Sequence, residues 1–227
     1  TQGRWRLARR EMDTWDEVAL AAVSPPQVHL AHAIELPRFT SPAWADSSLA
    51  RMAELRAKVG PPNDSMFGMC EAQVLALQGR PDEAARALAE TDAMVAEYKL
   101  EMIRPVLLVI EGEIADARGN LDAACDFHGR AVELDPTGKR PLRRLGRVQR
   151  LAGRHEEAEA TLAKALVQSP GHPGANLEMA LLLTDRGRSE EARPHLDKAL
   201  AGWRQADPDH PGAARARELE NRLGTLQ

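Results

Sequence analysis

Along this chain apolar positions recur at helical spacing in short blocks, and the blocks themselves repeat. Gly119, Ala124 and Ala131 are followed 34 residues later by Gly153, Ala158 and Ala165, and after a further 34 by Gly187, Ala192 and Ala199. In the middle set, Leu142, Leu145 and Gly146 share one face of a first helix. Gly153 breaks that helix, and Ala158, Leu162 and Ala165 line the inner face of a second. Pro170 closes the unit, because proline cannot continue a helix and holds the residue before it extended. The same grammar runs through Leu108, Gly112, Gly119, Ala124, Ala131 and Pro136 upstream. Downstream it runs through Met179, Ala180, Gly187, Ala192, Leu196 and Ala199, with the closing segment stretched to Pro208. One such hairpin cannot bury its apolar face alone, so the period predicts an all-α, right-handed solenoid of stacked helical hairpins.

The flanks are less regular. A weaker unit precedes the three, carrying Ala72, Leu75, Gly79, Ala84 and Leu88, and its Ala84 lies 40 residues before Ala124. The surplus over the period either lengthens the second helix through Thr91–Leu100 or forms the turn after it. Still earlier, Ala50, Ala57 and Pro62 stand one period before Ala84, Thr91 and the vicinity of Glu97. They suggest a degenerate unit whose first helix, around Gln27–Leu36, is displaced by the loop Pro37–Asp46. At the far end Ala216, Leu219 and Leu223 have helical spacing with a polar opposite face, as expected of a solubilising cap. The expected organisation is therefore irregular helices with a degenerate repeat over 1–63, about four hairpin units over 64–205, and a capping helix over 206–227.

These residues resemble the tetratricopeptide repeat (TPR) family, whose pattern places Leu-Gly in the first helix, Ala and an aromatic in the second, and a terminal Pro. The usual large aromatics are replaced here by Leu108, Leu142 and Asn176 in first helices and by His128, Leu162 and Leu196 in second helices. The resemblance implies a non-catalytic scaffold that binds a peptide segment of a partner protein in a concave groove lined by first helices. Carried onto the central unit, the groove positions are Arg140, Arg143, Arg147 and Arg150; in adjacent units they are apolar, at Met66, Met69, Val106, Val109, Leu177 and Leu181. The asparagines of the family's carboxylate-clamp subgroup are absent, their places holding Gln73, Glu113, Arg147 and Leu181.

Independently of that resemblance, Arg140, Arg143, Arg144, Arg147 and Arg150 fall within an arc of roughly 120° at about 100° per residue. Guanidinium forks suit carboxylate or phosphate groups, so an acidic peptide or a C-terminal carboxylate is the expected ligand class. The alternative is internal neutralisation, with Glu113 and Asp116, at the repeat positions of Arg147 and Arg150, facing them. The apolar groove positions likewise either receive a partner helix or extended peptide, or pack against the N-terminal helices.

Composition narrows the remaining chemistry. With 227 residues, 43% of them hydrophobic and 28% charged, the chain can bury a core. A net charge of -4 argues against a general nucleic-acid binder. Its two cysteines, Cys70 and Cys125, have neither disulfide-framework nor zinc spacing and read as packing residues. His29 and His32, with Glu35 nearby, lack a third ligand at a metal-site spacing, and no cofactor, metal or catalytic motif is found. His172 and His210 stand in two His-Pro-Gly turns at helix starts. No run is long and apolar enough to cross a membrane. The first residue is Thr1 and not Met, which suggests a piece of something longer. Arg10, Trp15, Glu17, Leu20, Ser24 and Pro25 are similar to the segment following the last span of polytopic glycosyltransferase-like proteins with repeat tails. Besides the scaffold, two further functions stay open: an accessory domain of a larger membrane transferase or signalling protein, and a self-association module stacking through solenoid ends.

Overall fold

The computed structural model describes residues 45–58, 65–136 and 139–224. All regular structure among them is helical. The helices are α1 (Ala45–Lys58), α2 (Ser65–Leu77), α3 (Pro81–Glu97), α4 (Arg104–Ala117), α5 (Leu121–Leu134), α6 (Lys139–Leu151), α7 (His155–Gln168), α8 (Pro173–Asp185), α9 (Ser189–Gly202) and α10 (Pro211–Gly224). Two compact units divide the chain between Phe127 and His128, inside α5.

The turns within hairpins share one construction. Gly79, Gly119, Gly153 and Gly187 all take φ between 70° and 75°, a left-handed conformation that a side chain would strain. The residue after each donates its N–H to a carbonyl five residues back, from Arg80 to Leu75, Asn120 to Ala115, Arg154 to Gln149 and Arg188 to Leu183, at 2.8 to 2.9 Å. This closure satisfies carbonyls that the helix end would otherwise leave open. The period seen in the sequence is thus the period of a helix-terminating device.

In the first unit, Met69, Ala72 and Leu75 of α2 pack with Ala84, Leu88 and Val95 of α3 and with Leu107, Ile110 and Ile114 of α4. The surplus residues before Ala124 are used in both expected ways: α3 has 17 residues against 14 in α5, α7 and α9, and a 3-10 turn, Glu101–Ile103, follows it. Lys99 adopts φ 55° in that irregular connection, where no glycine is available. One register expectation is corrected here. Ala50 and Ala57 of α1 are exposed, whereas Ala45 and Met52 are buried against Phe67, Cys70 and Val74 of α2. A larger side chain, Met52, decides which face turns inward. The segments 1–44 and 59–64, including the displaced helix and the expected loop as far as Trp44, lie outside the described residues, whereas Ala45 and Asp46 of that loop open α1.

In the second unit, Ala158 and Leu162 of α7, Leu177, Met179, Ala180, Leu182 and Leu183 of α8, and Ala192, Leu196 and Ala199 of α9 form one cluster that continues into Trp203. Ala213, Ala216, Leu219 and Leu223 of α10 complete it, while Glu218, Glu220, Asn221 and Arg222 of the same helix are exposed. The terminal helix is therefore apolar inside and polar outside, the property a cap requires. Gly146 allows α6 to approach α7 closely: a Cβ there would stand 2.6 Å from Leu162 Cγ.

A basic helix as the candidate functional site

Helix α6 reads KRPLRRLGRVQRL and contains no carboxylate. Leu142 and Val148 are buried, and Leu142 clusters with Ala165 of α7 and Ala175 of α8, so packing fixes which side of α6 faces inward. Arg143, Arg144, Arg147 and Arg150 are each partly exposed. The Arg143 stem lies over the start of α8, with Cδ 3.2 Å and Nε 3.6 Å from where a Cβ on Gly174 would be. A side chain at that glycine would displace the arginine.

The field of this helix is registered by His128. That imidazole is buried, and its pKa is pushed down to about 3 by burial first, then by Arg144, Arg143 and Arg147. His128 is therefore neutral at physiological pH and adds no charge beside the arginines. Its Nδ1 meets no hydrogen-bond partner among the described residues.

Arg150 has a different setting. Its Nε and Nη2 donate to Glu178 Oε2 at 3.3 and 3.2 Å, and its Nη1 donates to Asp185 Oδ2 at 3.0 Å. Glu178 Oε1 in turn accepts from Arg215 Nη1 of α10 at 3.2 Å. Both of these carboxylates come from α8, the following first helix. Glu113, in the first unit, is buried and accepts from Gln73 Nε2 at 3.0 and 3.1 Å.

The expected apolar contacts are placed less favourably. Val109 is 3% exposed and Leu177 is 2% exposed, so both belong to the packing and offer little surface to a ligand. Met69 is buried too, Leu181 is half-buried and Val106 is exposed. The side chains of Met66 and Arg140, and all of His29, His32 and Glu35, lie outside the described residues. Among the described residues no group of three His, Cys, Asp or Glu is placed to hold a metal, and no helix is long and apolar enough to cross a membrane. Cys70 and Cys125 are buried and form no disulfide.

Comparison with known proteins agrees with this geometry. Tetratricopeptide repeat profiles match residues 150–218 and 69–90. A thermophilic TPR protein of Thermus thermophilus superposes with a TM-score of 0.65 at 20% identity, covering 88% of this chain and 98% of that one. Both matched segments carry tetratricopeptide repeats. MamA is a second structural neighbour, with a TM-score of 0.51 at 21% identity over 71% of this chain and 90% of that protein. Cellulose synthase operon protein C of Pseudomonas fluorescens (strain SBW25) is 26% identical over 149 residues, 63% of this chain. The chain spans 11% of that relative's length.

At one of the missing aromatics this TPR chain substitutes polar contacts. Asn176, fully buried at an aromatic position, donates from Nδ2 to the carbonyls of Pro170 at 2.9 Å and His172 at 3.1 Å. Its Oδ1 is then the acceptor for His195 Nδ1 at 3.0 Å, which selects the Nδ1–H tautomer. Burial, then Lys198, lowers the His195 pKa and keeps that ring neutral. His172 and His210 cap α8 and α10, each Nδ1 accepting from the backbone N–H of Ala175 or Ala213 at 3.2 and 3.1 Å. The TPR fold supports a protein–protein interaction scaffold, and proteins of this fold are generally non-catalytic.

Proposed function

We propose that this TPR protein binds an acidic segment of a partner protein along α6, with Arg143 and Arg147 as the principal contacts. Arg140 extends the row, and Leu181 supplies the neighbouring apolar contact. Arg150 is the inner end of the row, and Val109 and Leu177 act through packing. One observation carries the reading: a helix made only of cationic and apolar or amide residues adds its positive field to burial in holding a histidine neutral. Planar guanidinium groups at successive turns match carboxylates spaced along an extended or helical peptide. Titration of acidic and basic peptide libraries against the wild type and Arg143→Glu/Arg147→Glu tests it. Acidic peptides should bind the wild type only, with unchanged helical circular dichroism in the variant. Binding should weaken with salt, since exposed charges are screened over about 8 Å at physiological ionic strength. Equal binding by both proteins removes the proposal.

A second reading, service as one module of a longer protein, is supported by the match to a small part of a much longer relative. The genomic sequence on either side of Thr1 and Gln227 tests it directly.

A further inference from the structure

Arg150 is held by two carboxylates of α8. Glu178, 3% exposed, takes two of its three nitrogens on a single oxygen and leaves Nη1 directed at Asp185. Arg150 is itself 10% exposed, so the buried carboxylate fixes the guanidinium plane. Asp185, at the last residue of α8, is 35% exposed and is the outward member of the pair. The four charges balance: Arg150 and Arg215, the latter 42% exposed, against Glu178 and Asp185. Glu178 anchors the fork, and Asp185 occupies its remaining arm in the way a ligand carboxylate would.

We infer that Asp185 is a built-in competitor at the end of the basic row, masking a preorganised anion-accepting arm on Arg150 Nη1 that an acidic partner segment takes over by displacing it. This deepens the proposed function and rests on that reading for its ligand. Displacement exchanges one carboxylate for another at Nη1, so Arg150 keeps two carboxylate partners. The guanidinium is already oriented by Glu178, so no side-chain freedom is lost when the ligand arrives. Asp185 therefore sets the affinity threshold: a single stray carboxylate gains nothing by the exchange, whereas a segment already held at Arg143 and Arg147 makes the exchange intramolecular. A purely structural Asp185 predicts the opposite sign, because deleting it would only loosen α6 from α8.

The test uses the full chain and an alternating Glu/Leu peptide with a free C-terminal carboxylate. Asp185→Asn should tighten binding by about fivefold, the size of one exposed ion pair, and steepen the salt dependence. Adding Arg150→Ala to Asp185→Asn should cancel the gain. Unchanged or weaker binding by Asp185→Asn, or a gain that survives Arg150→Ala, overturns the inference. Phenylglyoxal labelling of ligand-free protein, read by peptide mass spectrometry, separates the two proposals. If no variant binds the peptide, the proposed function fails, and Arg150 labelling alone decides: faster modification in Asp185→Asn supports the masked arm, and equal rates refute it.

Discussion

The two units of this chain use the same hairpin and the same glycine-terminated turn, yet they fill it differently. In the first, α4 contributes Leu107, Leu108, Val109, Ile110 and Ile114, and the chief buried polar contact is the Gln73–Glu113 pair. In the second, His128 and Asn176 stand at aromatic positions, two histidines cap helices, and carboxylates bridge arginines between helices. No histidine occurs between residues 45 and 127. A repeat scaffold thus tolerates a change from apolar to polar filling where partners such as those of Asn176 satisfy the buried polar groups. The second unit holds the candidate site and every described histidine.

The largest expected difference follows from that asymmetry. The folded pKa of His128 is about 3, below the ordinary 6.5, and those of His195 and His210 are lowered, chiefly by burial in both. Between the folded and unfolded values the unfolded chain binds more protons, so stability is full above pH 6.5 and declines as pH falls towards the folded values. His128 alone accounts for on the order of 4–5 kcal/mol across its whole window. Segment-resolved hydrogen exchange at pH 7 and pH 5, corrected for intrinsic exchange, should show protection falling in 139–224 and holding in 65–117. His128→Leu, which matches Leu162 and Leu196 at the same repeat position, should flatten the decline. Loss of protection in both units together would erase the contrast.

Next in size is overpacking. Ala158 and Ala165 are buried where α7 meets its neighbours, so Ala158→Leu or Ala165→Leu should cost about 1–3 kcal/mol in urea unfolding. A change of only a few tenths would contradict the close approach described for the second unit. Gln73→Leu is the matching experiment in the first unit: it strips two hydrogen bonds from the buried Glu113 carboxylate and should cost about 1–2 kcal/mol. An unaffected midpoint would mean that the pair is not a buried polar contact of consequence. The smallest effect is expected at Lys99, whose φ of 55° would suit glycine; Lys99→Gly should stabilise the first unit by about 0.5 kcal/mol, measurable as a rise in its thermal midpoint. A fall would show that the lysine side chain contributes more than its backbone strain.

Much of the fold was legible because it is written in local chemistry. Glycines in left-handed turns, alanines at helix crossings and an amphipathic last helix each impose their structure on the few residues around them, and their repetition made the signal specific. The buried face of α1 is not given by the period, because Ala50 and Ala57 hold repeat positions while Met52 buries more surface. Arg143, Arg144 and Arg147 could be found from helical periodicity, since all lie on one element. Glu178, Asp185 and Arg215 could not, because each acquires its role from a neighbour on another helix.

The 34-residue period by itself determined that this protein is a TPR-type stack of helical hairpins, since a break and a close crossing recurring at one spacing admit few other packings. Which carboxylates hold Arg150 was decided only by tertiary structure. Glu178 and Asp185 reach Arg150 from another helix, and electrostatic energy follows distance in space rather than separation along the chain.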